Sequence, residues 1–147
     1  TERRLVRELE KIGVRVLRNR SMPLTRGKEK MYIAGTDDVW FSYDLTKALR
    51  DIPRNAFKIL LSHSPDVNTD IKKEMKIDLT LCGHTHGGQV NIPYLSHHVL
   101  PIDNPSRYIA GLVKEPHGYT YVNRGIGTLV FPFRIAAPPE ITCIKLN

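Results

Sequence analysis

The stretches "FKILLSH" (57–63) and "IDLTLCGHTHGGQ" (77–89) decide the fold. Each begins as a nearly continuous apolar run of strand length and runs into histidine. Such a run, bounded by turn residues, is the pattern of a strand buried on both faces, as in a parallel sheet. Between the two, Pro65 and Asp66 predict the start of a helix through about Met75, with Asp66 as its cap. Strand, helix and strand make a crossover unit, and the 21 positions from His63 to His84 leave ample chain for one. A crossover makes its strands parallel, so both carboxyl ends reach the same sheet edge. Ligand sites of open α/β sheets lie at that edge.

Upstream, residues 1–12 place Leu5, Val6, Leu9 and Ile12 on one helical face, with Gly13 as the stop. This apolar stripe is expected to pack on the sheet. "VRVL" (14–17) reads as a short strand, "NRS" (19–21) as a turn, and "KMYIAG" (30–35) as a second strand running into Thr36-Asp37-Asp38. Ser42 or Asp44 is positioned to cap a helix carrying Leu45, Ala48 and Leu49, which Pro53 closes. From Gly87 onward the runs "QVNIP", "RYIAGLV", "YTYVNRG" and "EITCIKL" alternate with Pro and Gly, a pattern of antiparallel strands and turns. No internal repeat or low-complexity segment is visible. The fold class is α/β with a layered sheet, and residues 1–147 form a single domain or part of one.

The 147 residues are 41% hydrophobic and 25% charged, which suits a globular chain with a real core and not a disordered one. The two cysteines, Cys82 and Cys143, make neither a disulfide framework nor a four-cysteine zinc site, and Cys82 reads as a small buried hydrophobe. No apolar run approaches the roughly 20 residues that span a bilayer. The sequence opens at Thr1, inside a helical pattern, so a piece of a longer protein is expected and missing targeting signals say little about where the parent resides. The net charge of +7 is uneven: residues 1–30 carry +6 and the remainder +1. A basic segment of this kind attracts anionic lipid, nucleic acid or a phosphorylated substrate, or is simply a solvated helix face. Aromatic residues are not interleaved with these charges, which argues against a groove for single-stranded nucleic acid.

The chemistry rests on histidine. His63 ends one buried strand, and His84 and His86 end the next in "CGHTHGGQ" (82–89), so parallel strands predict that the three imidazoles converge. Neutral imidazole is a common ligand for Zn, Mn and Fe. Gly83, Gly87 and Gly88 remove side chains around them. Other H-x-H chemistries fit less well. A metallo-β-lactamase type requires Asp-His just after the pair, where Gly87-Gly88 stands. A cupin requires a Glu a few residues on, near Gln89. A zinc deaminase requires H-x-E and a cysteine pair.

"ILLSHSPD" (59–66) followed by "DLTLCGHTHGGQV" (78–90) resembles the last two metal motifs of calcineurin-like metallophosphoesterases. The similarity continues through "GTDDVWF", "SRYIAGL", "YTYVNRGIGT", "FPFRIAAPPEI" and "TCIKL", essentially the whole chain, and resembles the bacterial membrane-associated phosphodiesterase branch that includes UDP-2,3-diacylglucosamine pyrophosphatases. The resemblance implies a layered α/β/β/α sandwich and a site for two divalent metal ions (Mn, Zn or Fe). His63 and His84 would bind one ion and His86 the other. It implies hydrolysis of a phosphodiester or pyrophosphate, with a phosphorylated small molecule or a lipid-linked nucleotide as partner. The family's Asp-x-His, Gly-Asp-x-x-Asp and Gly-Asn-His-Asp strings are absent, so the chain is expected to be the C-terminal half, inactive alone and completed by the N-terminal half. A non-catalytic metal- or lipid-binding fragment is the alternative.

The remaining candidates each have a structural reading. Arg124 and Arg134 suit bidentate contacts to phosphate or an ion pair. Gln89 either touches substrate or continues its strand. Asp37 and Asp38 read as turn residues or supports of ligands. His97, His98 and His117 lie in loop-like sequence and are expected at the surface.

Overall fold

The computed structural model describes residues 2–91 and 100–146. In chain order, helix α1 (Glu2–Lys11) precedes a hairpin of β1 (Arg20–Arg26) and β2 (Glu29–Gly35). Helix α2 (Leu45–Leu49) leads to β3 (Lys58–Leu61) and then β4 (Leu79–Cys82). Helix α3 (Pro105–Tyr108) precedes a second hairpin, β5 (Gly111–Glu115) and β6 (Gly118–Val122). The six strands form one sheet in the order β1-β2-β3-β4-β6-β5. Strands β2, β3, β4 and β6 run parallel, and each hairpin adds an antiparallel edge. The class is α/β, as the crossover pattern predicts.

Register explains burial. Leu60, Thr80 and Thr120 stand in one row across β3, β4 and β6 and are fully buried. That face packs on Leu45 and Ala48 of α2 and on Val67, Ile71, Ile77, Ile102 and Tyr108. The opposite face is apolar and open in part: Ile59 and Leu79 are buried, while Leu61, Tyr119 and Leu112 are 38%, 44% and 63% exposed. The strand read as buried on both faces is so at Ile59 and Leu60 and opens to solvent at Leu61.

Lys58, buried at the start of β3, donates from Nζ to the carbonyls of Arg54, Met75 and Lys76 and from its backbone to Asp78. Burial pushes its ammonium pKa down, against the opposing pull of Asp78. Gly118 is required where it stands. Its φ is +155°, and a Cβ there would lie 2.0 Å from the Ile77 carbonyl oxygen.

Several expectations are corrected. The first strand is 20–26 and not 14–17, so "NRS" enters a strand; Pro23 inside it is tolerated because β1 is a sheet edge. The helix expected from Pro65 is two 3₁₀ turns, Pro65–Thr69 and Lys73–Met75. Asn68 Nδ2 and Thr69 Oγ1 donate back to the carbonyls of Pro65 and Asp66, competing with a helical ladder. Its cap is Ser64, whose Oγ accepts from the Asp66 N–H. Asp44, by contrast, caps α2 as read. "EITCIKL" forms no strand, and β6 pairs in parallel with β4. The α1 stripe does not pack on the sheet: Leu5 is 62% and Ile12 75% exposed. No helix among the described residues is long and apolar enough to cross a membrane.

Candidate metal centre

The parallel strands deliver their loops to one edge, and the hydrogen-bond ladder continues past their ends. Thr36 N–H donates to the Leu61 carbonyl, Ser62 to Leu81, Gly83 to His63, and Asn123 to Cys82. The Gly83–His63 bond of 3.1 Å ties the loop after β4 to the loop after β3, one residue before His84. His84 Nδ1 then lies 3.1 Å from His63 Nε2, with ring centroids 4.8 Å apart.

The loop carrying the second and third histidines is held in costly conformations. His84, His86 and Gln89 all have positive φ, of 68°, 52° and 46°. Non-glycine residues there cost on the order of 1–3 kcal/mol each. Buried Thr85 steadies the loop by donating to the Ile109 carbonyl at 2.8 Å. Gly87 leaves room for Arg124, whose Cγ would lie 2.8 Å from a Cβ there.

The His63–His84 separation bears on metal binding. Two imidazole nitrogens sharing an ion at Zn–N distances of about 2.1 Å stand about 3.0–3.4 Å apart at bond angles of 90–110°. The observed 3.1 Å fits that spacing. Burial, and then the neighbouring His63, push the His84 pKa down, which favours the neutral ligand form. Its Nε2 is buried and makes no hydrogen bond of ordinary geometry. The Pro101 backbone nonetheless pulls its pKa upward.

His86 is placed differently. Its Nδ1 lies 3.4 Å from the Gly127 carbonyl, and its own carbonyl accepts from Arg134. Among the described residues no three His, Cys, Asp or Glu side chains gather as a metal-holding group. The structure therefore brings His63 and His84 together and leaves His86 outside the pair.

The residues read as candidate substrate contacts are engaged elsewhere. Gln89 Nε2 donates to the carbonyls of Leu129 and Phe131, and its Oε1 accepts from Leu129 N–H. Arg134 donates to five carbonyls, those of His86, Arg124, Gly125, Gly127 and Ala137. Arg124 pairs with Glu140 at 2.9 Å, the ion-pair reading. Thr142 and Tyr121, both bonded to Glu140, hold its pKa down. These side chains fasten the segment 124–140 to the site's floor.

Asp37 is a support, paired with Arg18 at 2.8 Å and bonded to Asn19. Asp38 accepts the Trp40 N–H at 2.9 Å, as a turn residue does. Cys82 is buried as read, and burial raises its thiol to about 12. His117, expected at the surface, is buried in the β5–β6 turn, where burial lowers its pKa. His97 and His98 lie outside the described residues.

One neighbour was missed by motif reading. The Trp40 ring stands edge-on to His84, with centroids 4.9 Å apart. The available signal was its position just after a parallel strand's carboxyl end.

No family model and no solved structure matches the chain. The chain is 31% identical over 138 residues to phosphodiesterase YaeI of Escherichia coli (strain K12), covering 94% of this chain and 49% of that protein. It is 35% identical over 141 residues to the uncharacterized metallophosphoesterase YkuE of Bacillus subtilis (strain 168), covering 92% and 47%. An uncharacterized metallophosphoesterase of Helicobacter pylori is 36% identical over 107 residues, 72% of this chain and 28% of that one. The chain thus spans about half the length of the first two relatives. Similarity running through most of its length supports the metallophosphoesterase family for this chain.

Proposed function

We propose that the chain is the C-terminal half of a metal-dependent phosphoesterase that hydrolyses a phosphodiester or pyrophosphate with two divalent ions, Mn, Zn or Fe. His63 and His84 hold one ion and His86 helps hold the other. The observation that carries the reading is the 3.1 Å separation of His63 Nε2 and His84 Nδ1 at the carboxyl edge of a parallel sheet. The relatives' names support phosphoester hydrolysis in general.

Bound divalent ions supply Lewis acidity and concentrated positive charge at a phosphate. The chain's own contribution is positional. The Gly83–His63 backbone bond sets the imidazole pair in register, and Arg134 fixes the carbonyl of His86. Neutral imidazoles leave the ions' charge uncompensated. Carboxylates from Asp-x-His and Gly-Asp-x-x-Asp motifs in an N-terminal half complete the site in this reading. The open apolar sheet face around Leu61, Leu112 and Tyr119 supports it, as a surface on which that half packs. The substrate is a phosphorylated small molecule or a lipid-linked nucleotide, and basic residues 1–30 favour an anionic membrane surface.

An activated aryl phosphodiester with added Mn²⁺ tests this. The isolated chain gives little turnover. Robust turnover abolished by His84→Ala contradicts the half-enzyme reading. A second reading, a non-catalytic metal- or lipid-binding fragment, is favoured by the lack of a three-ligand cluster among the described residues. The gene sequence upstream of Thr1 separates the two: the three missing motifs support the enzyme, and their absence supports the fragment.

A further inference from the structure

We propose that Trp40 and Phe41 form a subsite for a planar aromatic group carried by the phosphoester, beside the His63–His84 pair. The inference rests on the phosphoesterase reading and narrows its substrate class. Both rings are exposed, Trp40 by 52% and Phe41 by 85%, in a loop at the carboxyl end of β2. Water is a poor environment for two consecutive large aromatic side chains, and a ligand ring laid against them removes that cost. The Trp40 ring meets His84 edge-on at 4.9 Å and 73°. A group esterified to a phosphate at the histidine pair therefore lies within reach of the indole.

The loop is built to display these rings. Asp38 accepts the Trp40 N–H through Oδ1 at 2.9 Å and the Phe41 N–H through its carbonyl at 3.0 Å. Buried Asn19 receives the N–H groups of Asp37 and Asp44 at 2.9 and 3.1 Å, pinning both ends of the loop. Beside Phe41 lies a cavity of about 330 Å³ lined also by Arg18, Asp37, Asp38 and Ser42. Phe41 is the aromatic residue of that lining and the others are polar or charged, which suits a ring that bears polar edge groups. A nucleobase and a simple aryl group share this ring chemistry, and the experiment separates them.

Trp40 is the chain's one tryptophan, so its fluorescence reports on the subsite without background. The zinc-loaded chain is titrated with phenyl phosphate, adenosine monophosphate and glycerol 3-phosphate, by fluorescence and by calorimetry. The two ring-bearing esters bind at least about tenfold tighter than glycerol 3-phosphate, the scale of one stacked ring, and they quench Trp40. Phe41→Ala and Trp40→Leu each cut the preference, and Trp40→Phe, which keeps a ring, retains it. Tighter binding of adenosine monophosphate than phenyl phosphate assigns the cavity floor to base edges; equal binding assigns the subsite to the ring alone. Equal affinity for all three esters, no binding of the ring-bearing pair, or a preference that survives the double variant Trp40→Leu/Phe41→Ala overturns the proposal. Zinc binding is read separately in the unmutated chain and in His84→Ala: no zinc binding by the unmutated chain, or binding unchanged in His84→Ala, beside an intact ring preference refutes the metal reading and not the subsite, whereas zinc binding that His84→Ala weakens, without a ring preference, refutes the subsite alone.

Discussion

Replacing Arg134 by methionine removes the guanidinium while keeping a stem of similar length. In the native chain that one group holds the carbonyls of His86, Arg124, Gly125, Gly127 and Ala137, with several donor–acceptor distances near 3.0 Å. Hydrogen bonds to charged groups contribute about 1.5–3 kcal/mol each by deletion, but several from one side chain do not add, and half-buried carbonyls recover water. The expected net loss is therefore about 3 kcal/mol, the scale of a broken buried network. Arg134→Lys recovers less than half, because one ammonium cannot span five carbonyls arranged around a planar fork. Urea unfolding measures both losses, with the slope unchanged. Amide exchange localises the effect, accelerating first in residues 124–137. A loss under about 1 kcal/mol for Arg134→Met, or full rescue by lysine, refutes the view that this guanidinium organises the segment under His86.

Three further outcomes are expected. Gly118→Ala drives a methyl group into the Ile77 carbonyl at 2.0 Å and costs about 3 kcal/mol by urea unfolding; a change under about 0.5 kcal/mol means that the β5–β6 turn shifts freely. Tyr108 is raised to about 12 by burial and then by Glu115, whose carboxylate accepts its hydroxyl hydrogen bond at 2.7 Å. The folded phenol keeps its proton where the unfolded one, near pH 10, has lost it, so stability falls as pH rises from 10 towards 12. At pH 11 the wild type loses about 1 kcal/mol more than Tyr108→Phe does, and equal losses contradict the assignment. Basic residues 1–30, with Leu5 and Ile12 exposed on α1, should bind anionic vesicles in preference to neutral ones. Three or four contacts at about 1 kcal/mol each give an affinity that weakens steeply with salt; salt-independent co-sedimentation, or equal binding to neutral lipid, excludes an electrostatic origin.

The parts of the fold legible in the sequence are those where local pattern and tertiary role agree. Strands β2, β3 and β4 carry dense apolar runs because they stand in the sheet interior, and Asp44 reads as a cap because it is one. The crossover geometry followed, and with it the meeting of His63 and His84. Strand β1 was hidden because "RSMPLTR" is polar and contains Pro23, both admissible only at an edge. The segment after Ser64 has helical spacing, but Asn68 and Thr69 divert their hydrogen bonds locally. "EITCIKL" has strand composition, yet pairing needs a neighbour, and its Thr142 bonds instead to Asn123 and Tyr121 side chains. Gln89 and Arg134 suit a phosphate by type; only coordinates reveal that nearby carbonyls already occupy their donors. His117 shows the same limit, because a turn residue becomes buried when neighbouring elements close over it.

The most direct test of the central claim is a zinc titration of the chain by calorimetry, with His63→Ala, His84→Ala and His117→Gln in parallel. The paired imidazoles predict saturable binding at neutral pH that weakens by tenfold or more when either His63 or His84 is removed and persists in His117→Gln. Binding that survives loss of both His63 and His84, or that falls equally in His117→Gln, contradicts a metal centre built on the 3.1 Å pair.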